Sequence, residues 1–208
     1  QYIPKLINGK VLEGKKELRH FLPIYYINMS ETQTKKVNDI IQNKTSSGEA
    51  APTWKDKELS ITTLNSGSLE ELKKNPQEYS CKFNELINII NNSKKPSNRH
   101  FVYCEYVEKG IDILKDLITD KCPNTDIITL TGKGSDSNIS SNIQTFNQNK
   151  NFTKNYVILG SKVVSEGITL KNISKVHILT PHWNMAVIDQ AIARAIRYNS
   201  HPFIKGRP

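Results

Sequence analysis

Between about residues 100 and 196 short apolar runs alternate with stretches of helical period, and this alternation constrains the fold more than anything else in the chain. The runs are His100-Phe101-Val102-Tyr103-Cys104, Asp126-Ile127-Ile128-Thr129-Leu130, Tyr156-Val157-Ile158-Leu159 and Lys175-Val176-His177-Ile178-Leu179. They are short and nearly continuous in apolar character, as strands covered on both faces are. Val107, Ile111, Leu114 and Ile118, then Ile139, Ile143 and Phe146, and finally Met185, Ile188, Ile192 and Ile196 recur at the spacing that gathers side chains on one helix face. Strands separated by helices pair in parallel through crossovers, and right-handed crossovers put helices on both faces. The expected fold is α/β, three layers around a mostly parallel central sheet.

Upstream, the β-branched and aromatic run Ile24-Tyr25-Tyr26-Ile27-Asn28 precedes Ser30-Glu31-Thr32-Gln33. The latter fits a capping box in which Ser30 and Gln33 satisfy each other's amides. A helix starts there, with Val37, Ile40 and Ile41 at helical spacing, and fades near Asn43. Phe83, Leu86, Ile87 and Ile90 place one apolar stripe on a helix of about three turns. Residues 44–80 between them are mostly polar and read as an insertion or mobile connection. At 208 residues the chain can bury roughly 70% of its unfolded surface around one core, so 1–208 is expected to form one domain. It opens on Gln1 without a signal-peptide layout and reads as a piece of a longer protein. No uncharged apolar run approaches the ~20 residues that span a bilayer.

Cys81, Cys104 and Cys122 are odd in number and far apart, which suits ordinary thiols in a reducing, cytoplasmic setting better than a zinc site or disulfide framework. The five histidines form no metal or triad pattern, and His100 and His177 read as strand residues. A net charge of +9 favours polyanionic partners such as nucleic acid.

In open α/β sheets ligands gather where strands end, and two such junctions carry chemistry. Gly160-Ser161-Lys162-Val163-Val164-Ser165-Glu166-Gly167-Ile168-Thr169-Leu170 follows a strand with hydroxyls, a carboxylate and a glycine that allow close approach to a phosphate or sugar; a tight turn needing Gly167 explains it as well. In the last helix Gln190, Arg194 and Arg197 fall at i, i+4 and i+7 and share a face. Guanidinium forks bind phosphate oxygens in pairs and a glutamine can orient water, so this face suits a triphosphate. A solvated helix face is the plainer alternative.

Taken in order, these residues resemble superfamily 2 helicases. Ser165-Glu166-Gly167-Ile168, then His177-Ile178-Leu179-Thr180-Pro181-His182-Trp183-Asn184, then Gln190-x-x-x-Arg194-x-x-Arg197 are similar to motifs V and VI of that family. Arg99-His100-Phe101-Val102-Tyr103-Cys104 with Gly110 is similar to motif IV, and Thr131-Gly132 with Phe146-Asn147 resembles the segment between. The ending Arg194-Ala195-Ile196-Arg197-Tyr198-Asn199-Ser200-His201 resembles the helicase-like ATPases of large cytoplasmic DNA viruses, among them the poxvirus early transcription factor small subunit and asfarvirus relatives.

The resemblance implies a second RecA-like lobe that meets ATP and Mg²⁺ held mainly by an N-terminal RecA-like lobe of the same protein. Arg197, as arginine finger, Arg194 and Gln190 would face the β- and γ-phosphates. Gly167 and Glu166 would lie beside the nucleotide, and Ser161 would meet the nucleic-acid backbone. Ala193 stands where the family usually has glycine. The implied partners are DNA, or else RNA, and a transcription-factor subunit or RNA polymerase; the implied setting is the cytoplasm, a viral factory or the virion. This chain carries neither a phosphate-cradling G-x-x-x-x-G-K-[ST] nor an acidic pair beside one, so alone it is expected not to hydrolyse ATP. The alternative function is a non-catalytic RecA-like module that binds nucleic acid or polymerase.

Overall fold

The structure, a computed structural model, describes residues 26–46, 69–94, 98–131, 136–149, 153–161, 168–180, 185–195 and 200. Helix α1 (Glu31–Ser46) is followed by two short helices, α2 (Leu69–Lys74) and α3 (Pro76–Tyr79), and by α4 (Cys81–Asn91). Then come β1 (Arg99–Tyr103), a π-helical turn (Val107–Asp112) running into α5 (Ile113–Lys121), β2 (Thr125–Leu130), α6 (Asp136–Gln148), β3 (Asn155–Gly160), β4 (Lys175–Ile178) and α7 (Met185–Ala195).

The four strands form one sheet in the order β2-β3-β1-β4, every neighbouring pair parallel. Alternation along the strands divides the side chains between two cores. Val102, Cys104, Val157 and Leu159 face one side, against Leu72 of α2, Phe83, Leu86, Ile87 and Ile90 of α4, and Leu114, Leu117 and Ile118 of α5. Phe101, Tyr103, Tyr156 and Ile158 face the other, against Ile143 and Phe146 of α6, Ala191 and Ala195 of α7, and Leu170 and Ile173. This is the three-layer α/β domain expected from the alternation. All three cysteines are buried free thiols, and burial pushes the Cys122 thiol up to about 11. Among the described residues no helix is long and apolar enough to cross a membrane.

Three details depart from the expectation. Ser30 Oγ does accept from Gln33 N (2.9 Å), but the Gln33 carboxamide oxygen accepts from Cys81 N (3.0 Å) and ties α1 to the start of α4, not back to Ser30. Within the segment read as an insertion or mobile connection, Leu69–Lys74 and Pro76–Tyr79 are helical and Leu72 lies in the core; 47–68 lie outside the described residues. The expected helix at Val107 begins as a π-turn, with Ile111 N donating to Tyr106 O at 3.0 Å. Tyr26 and Ile27, in the run before α1, are exposed and outside regular structure.

Candidate functional site

The parallel register brings the carboxyl ends of the strands level: Leu130 pairs with Gly160, Gly160 with Tyr103, and Tyr103 with Ile178. Hydrogen bonding continues one residue further. Ser161 N donates to Leu130 O (3.1 Å), Cys104 N to Gly160 O (3.0 Å) and Leu179 N to Tyr103 O (3.0 Å). Beyond these, Glu105 N donates to Thr180 Oγ1 (2.8 Å) and Lys82 Nζ to Leu179 O (2.7 Å). The loops leaving β1, β3 and β4 therefore start from fixed backbone. Ser161 sits at this edge with 3% of its surface exposed, and among the described residues its hydroxyl meets no hydrogen-bond partner.

Residues 162–167, including the candidates Glu166 and Gly167, lie outside the described residues. The chain returns as a strap, Ile168 to Ser174, held on several sides. Asn147 Nδ2 donates to Thr169 O and Asn147 Oδ1 accepts from Lys171 N, both at 2.8 Å. Leu170 N donates to Arg194 O (3.0 Å) and Asn172 N to Ser200 O (2.6 Å). Asn172 takes the left-handed conformation, φ 58°, which asparagine tolerates better than most residues. Ser174 Oγ donates to Arg99 O (2.7 Å) and joins the strap to β1.

Helix α7 turns Ile188, Ala191 and Ala195 inward and leaves Ile192 half-buried. The inner face is thus set by two alanines as much as by the isoleucines, and small side chains let the helix lie close to the sheet. Gln190 is exposed and Arg194 half-buried, one turn apart on one face. Ala193, in place of the family's glycine, is exposed, so its methyl meets no crowding from the core. Arg197 lies outside the described residues.

Two buried polar groups lie at the amino end of β1, away from this edge. Arg99 is fully buried and donates through Nη2 to Phe146 O (2.6 Å) and through Nη1 to Asn149 O (3.0 Å). Its guanidinium lies 3.8 Å from the centre of the Phe146 ring. It therefore caps the carboxyl end of α6 with a cation, where the helix dipole favours one, and burial lowers its pKa to about 10. His100 Nδ1 lies 3.0 Å from His177 Nε2 across β1 and β4. Burial, then each other and Lys175, hold His100 down to about 3, and burial with Lys175 holds His177 to about 4. Both rings are neutral at pH 7, structural members of the strands as the sequence suggests.

Residues 81–199 match the family described as the helicase conserved C-terminal domain. The chain belongs to that family. The "Putative helicase 009L" of Frog virus 3 is 37% identical to this helicase C-terminal domain over 146 residues, 64% of the chain and 15% of that protein. The "Putative helicase 087L" of Invertebrate iridescent virus 3 is 30% identical over 152 residues, 65% of the chain and 16% of that protein. The chain thus spans about a sixth of the length of these relatives. The crystal structure of the C-terminal part of the Fun30 ATPase domain shares the fold at a TM-score of 0.62 and 15% identity, with 85% of this chain and 79% of that one covered. The Sulfolobus solfataricus SWI2/SNF2 ATPase core solved with dsDNA does so at 0.60 and 20% identity, covering 83% of this chain and 36% of that one. The sheet and its helices share the α/β fold of these ATPase C-terminal domains.

Proposed function

We propose that this domain is the C-terminal motor lobe of an ATP-dependent helicase or translocase that works on DNA. One observation carries the proposal: Leu170 N bonds Arg194 O. This joins the end of the glycine-bearing segment to the helix of Gln190 and Arg194. In this role Arg197 is the arginine finger, and Arg194 and Gln190 meet the β- and γ-phosphates. Glu166 and Gly167 line the nucleotide and Ser161 contacts the nucleic-acid backbone.

ATP and Mg²⁺ are held by an N-terminal RecA-like lobe of the same protein. Among the described residues no group of three or more His, Cys, Asp or Glu side chains gathers that could hold a metal. Lobe closure brings the arginines up as water attacks the γ-phosphorus in line and the bond to the β,γ-bridging oxygen breaks. Their planar forks neutralise charge that spreads over the equatorial oxygens, and Gln190 orients the water. Cycles of closure alternate the grip of the two lobes on the strand.

DNA is favoured over RNA because a structural neighbour was solved with dsDNA, although relatives from mimivirus and ascovirus are named as ATP-dependent RNA helicases. With iridoviral relatives as well, the proposed setting is a large cytoplasmic DNA virus, in its factory or virion. The proposed task is early transcription or DNA remodelling beside a transcription-factor subunit or polymerase.

The test is the ATPase activity of the full-length protein with no nucleic acid, single- or double-stranded DNA, and RNA. DNA-stimulated hydrolysis is expected. DNA binding without hydrolysis would overturn the motor and leave a non-catalytic module.

A further inference from the structure

Residues 168–171 run beside the sheet but belong to no strand, and their backbone groups are met from two directions. Asn147, next to the last residue of α6, uses its carboxamide as a short piece of strand, giving a proton to Thr169 O and taking one from Lys171 N, each at 2.8 Å. Leu170, between those two residues, sends its N–H to Arg194 O in the last turn of α7 (3.0 Å). Backbone groups of an extended chain alternate sides, so a single strap holds the end of α6 on one side and the end of α7 on the other. Asn147 itself projects from a fixed backbone, because Arg99 binds the carbonyls of Phe146 and Asn149 on either side of it (2.6 and 3.0 Å).

We infer that Asn147 is a positioning residue for the reaction. Its carboxamide sets the register of the strap, residues 168–171, against the Arg194 end of α7. The inference rests on the motor-lobe function proposed above, and it adds to that function a residue that touches neither nucleotide nor nucleic acid. The chemistry needs a primary amide: a carboxylate would keep the bond from Lys171 N but turn an acceptor toward Thr169 O, and an aliphatic side chain would supply neither partner. Losing the clamp lets the strap slide relative to Arg194, and displacements near 1 Å at a reacting centre cost about 10²-fold in rate.

The experiment measures nucleic-acid-stimulated ATP hydrolysis by the full-length protein. Asn147→Ala is expected to lower kcat by about 10- to 100-fold with KM for ATP unchanged, since nucleotide affinity belongs to the other lobe. Asn147→Asp is expected to be as poor at pH 8 and to recover, relative to wild type at the same pH, as acid protonates the carboxyl and restores a donor; Asn147→Ala shows no recovery. Asn155→Ala removes a side-chain bond of the same kind, Asn155 Nδ2 to Ile90 O (2.9 Å), on the other face of the sheet. It should keep the wild-type kcat. Wild-type kcat in Asn147→Ala, or kcat losses in both variants that track thermal stability, would overturn the positioning role alone. A wild type without stimulated hydrolysis would overturn the motor lobe and this role together.

Discussion

Gly110→Ala tests the joint between β1 and the π-turn. A Cβ at residue 110 would lie 2.6 Å from Cys104 Sγ and 3.2 Å from Tyr106 Cβ, against about 3.5–4.0 Å for a comfortable carbon contact. Something must give by about 1 Å, and the candidates are poor: Cys104 is fully buried, and the turn beyond it is pinned by Glu105 N to Thr180 Oγ1. Overpacking of this kind costs about 1–3 kcal/mol. Removing glycine's excess freedom in the unfolded chain returns about 0.5–1 kcal/mol, so the net loss should be about 1–2 kcal/mol. Deleting the thiol removes the clash, and Gly110→Ala made on top of Cys104→Ala should be close to neutral. Urea unfolding of the four proteins of this cycle, with unchanged m-values, should therefore give a coupling of about 1–2 kcal/mol. Effects that add within about 0.5 kcal/mol would show that the thiol is not what the methyl meets.

Acid should unfold the domain partly through His100 and His177. Unfolded histidines titrate near 6.5 and the native ones near 3 and 4, so below pH 6.5 the unfolded chain takes up protons that the native one refuses. Stability should be level above about pH 7 and fall below 6.5 toward 4, by up to about 1.4 kcal/mol per pH unit for each histidine; His177→Gln should flatten that slope in urea melts, and an unaltered slope would refute the cause. Arg197→Ala in the full-length protein should lower kcat about 10³-fold with little change in nucleotide affinity, and Arg197→Lys should rescue poorly, because an ammonium lacks the two-point fork. Arg194→Ala should also impair turnover while Lys205→Ala does not; wild-type turnover in Arg197→Ala would remove the finger. The isolated chain should bind DNA weakly, with log K falling linearly in log salt, and turn over no ATP; binding that does not change between ~50 and ~200 mM salt would point to another partner.

The layers of this fold were legible because a buried parallel strand and an amphipathic helix leave different periods in a sequence. Val102, Val157 and Leu159 on one face and Ile143 and Phe146 on the other needed nothing more. What sequence could not supply was the use made of single polar side chains across long separations. Gln33 fits a local capping box by spacing, yet its oxygen serves Cys81, because a buried amide takes the partner that tertiary packing delivers. Asn147 and Arg99 stand out only as members of segments that resemble the family; that one grips the strap and the other closes α6 shows only once the fold brings carbonyls to them. Ser161 stands out only through the order of motifs. On α7, Gln190 and Arg194 lie one turn apart, while Arg197 lies outside the described residues.

The strand order has a consequence for synthesis. β1 and β2 follow one another in the chain but are not neighbours in the sheet; both wait for β3, which lies between them. Until Asn155 has left the ribosome no pair of these strands can join. At about 5–20 residues per second, the apolar strand from Arg99 to Tyr103 is made several seconds before its first partner. Sheet nucleation therefore waits for β3. A chain cut short of Asn155 would carry β1 and β2 with neither of their partners to join them, and a lesion in β3 would strike assembly first.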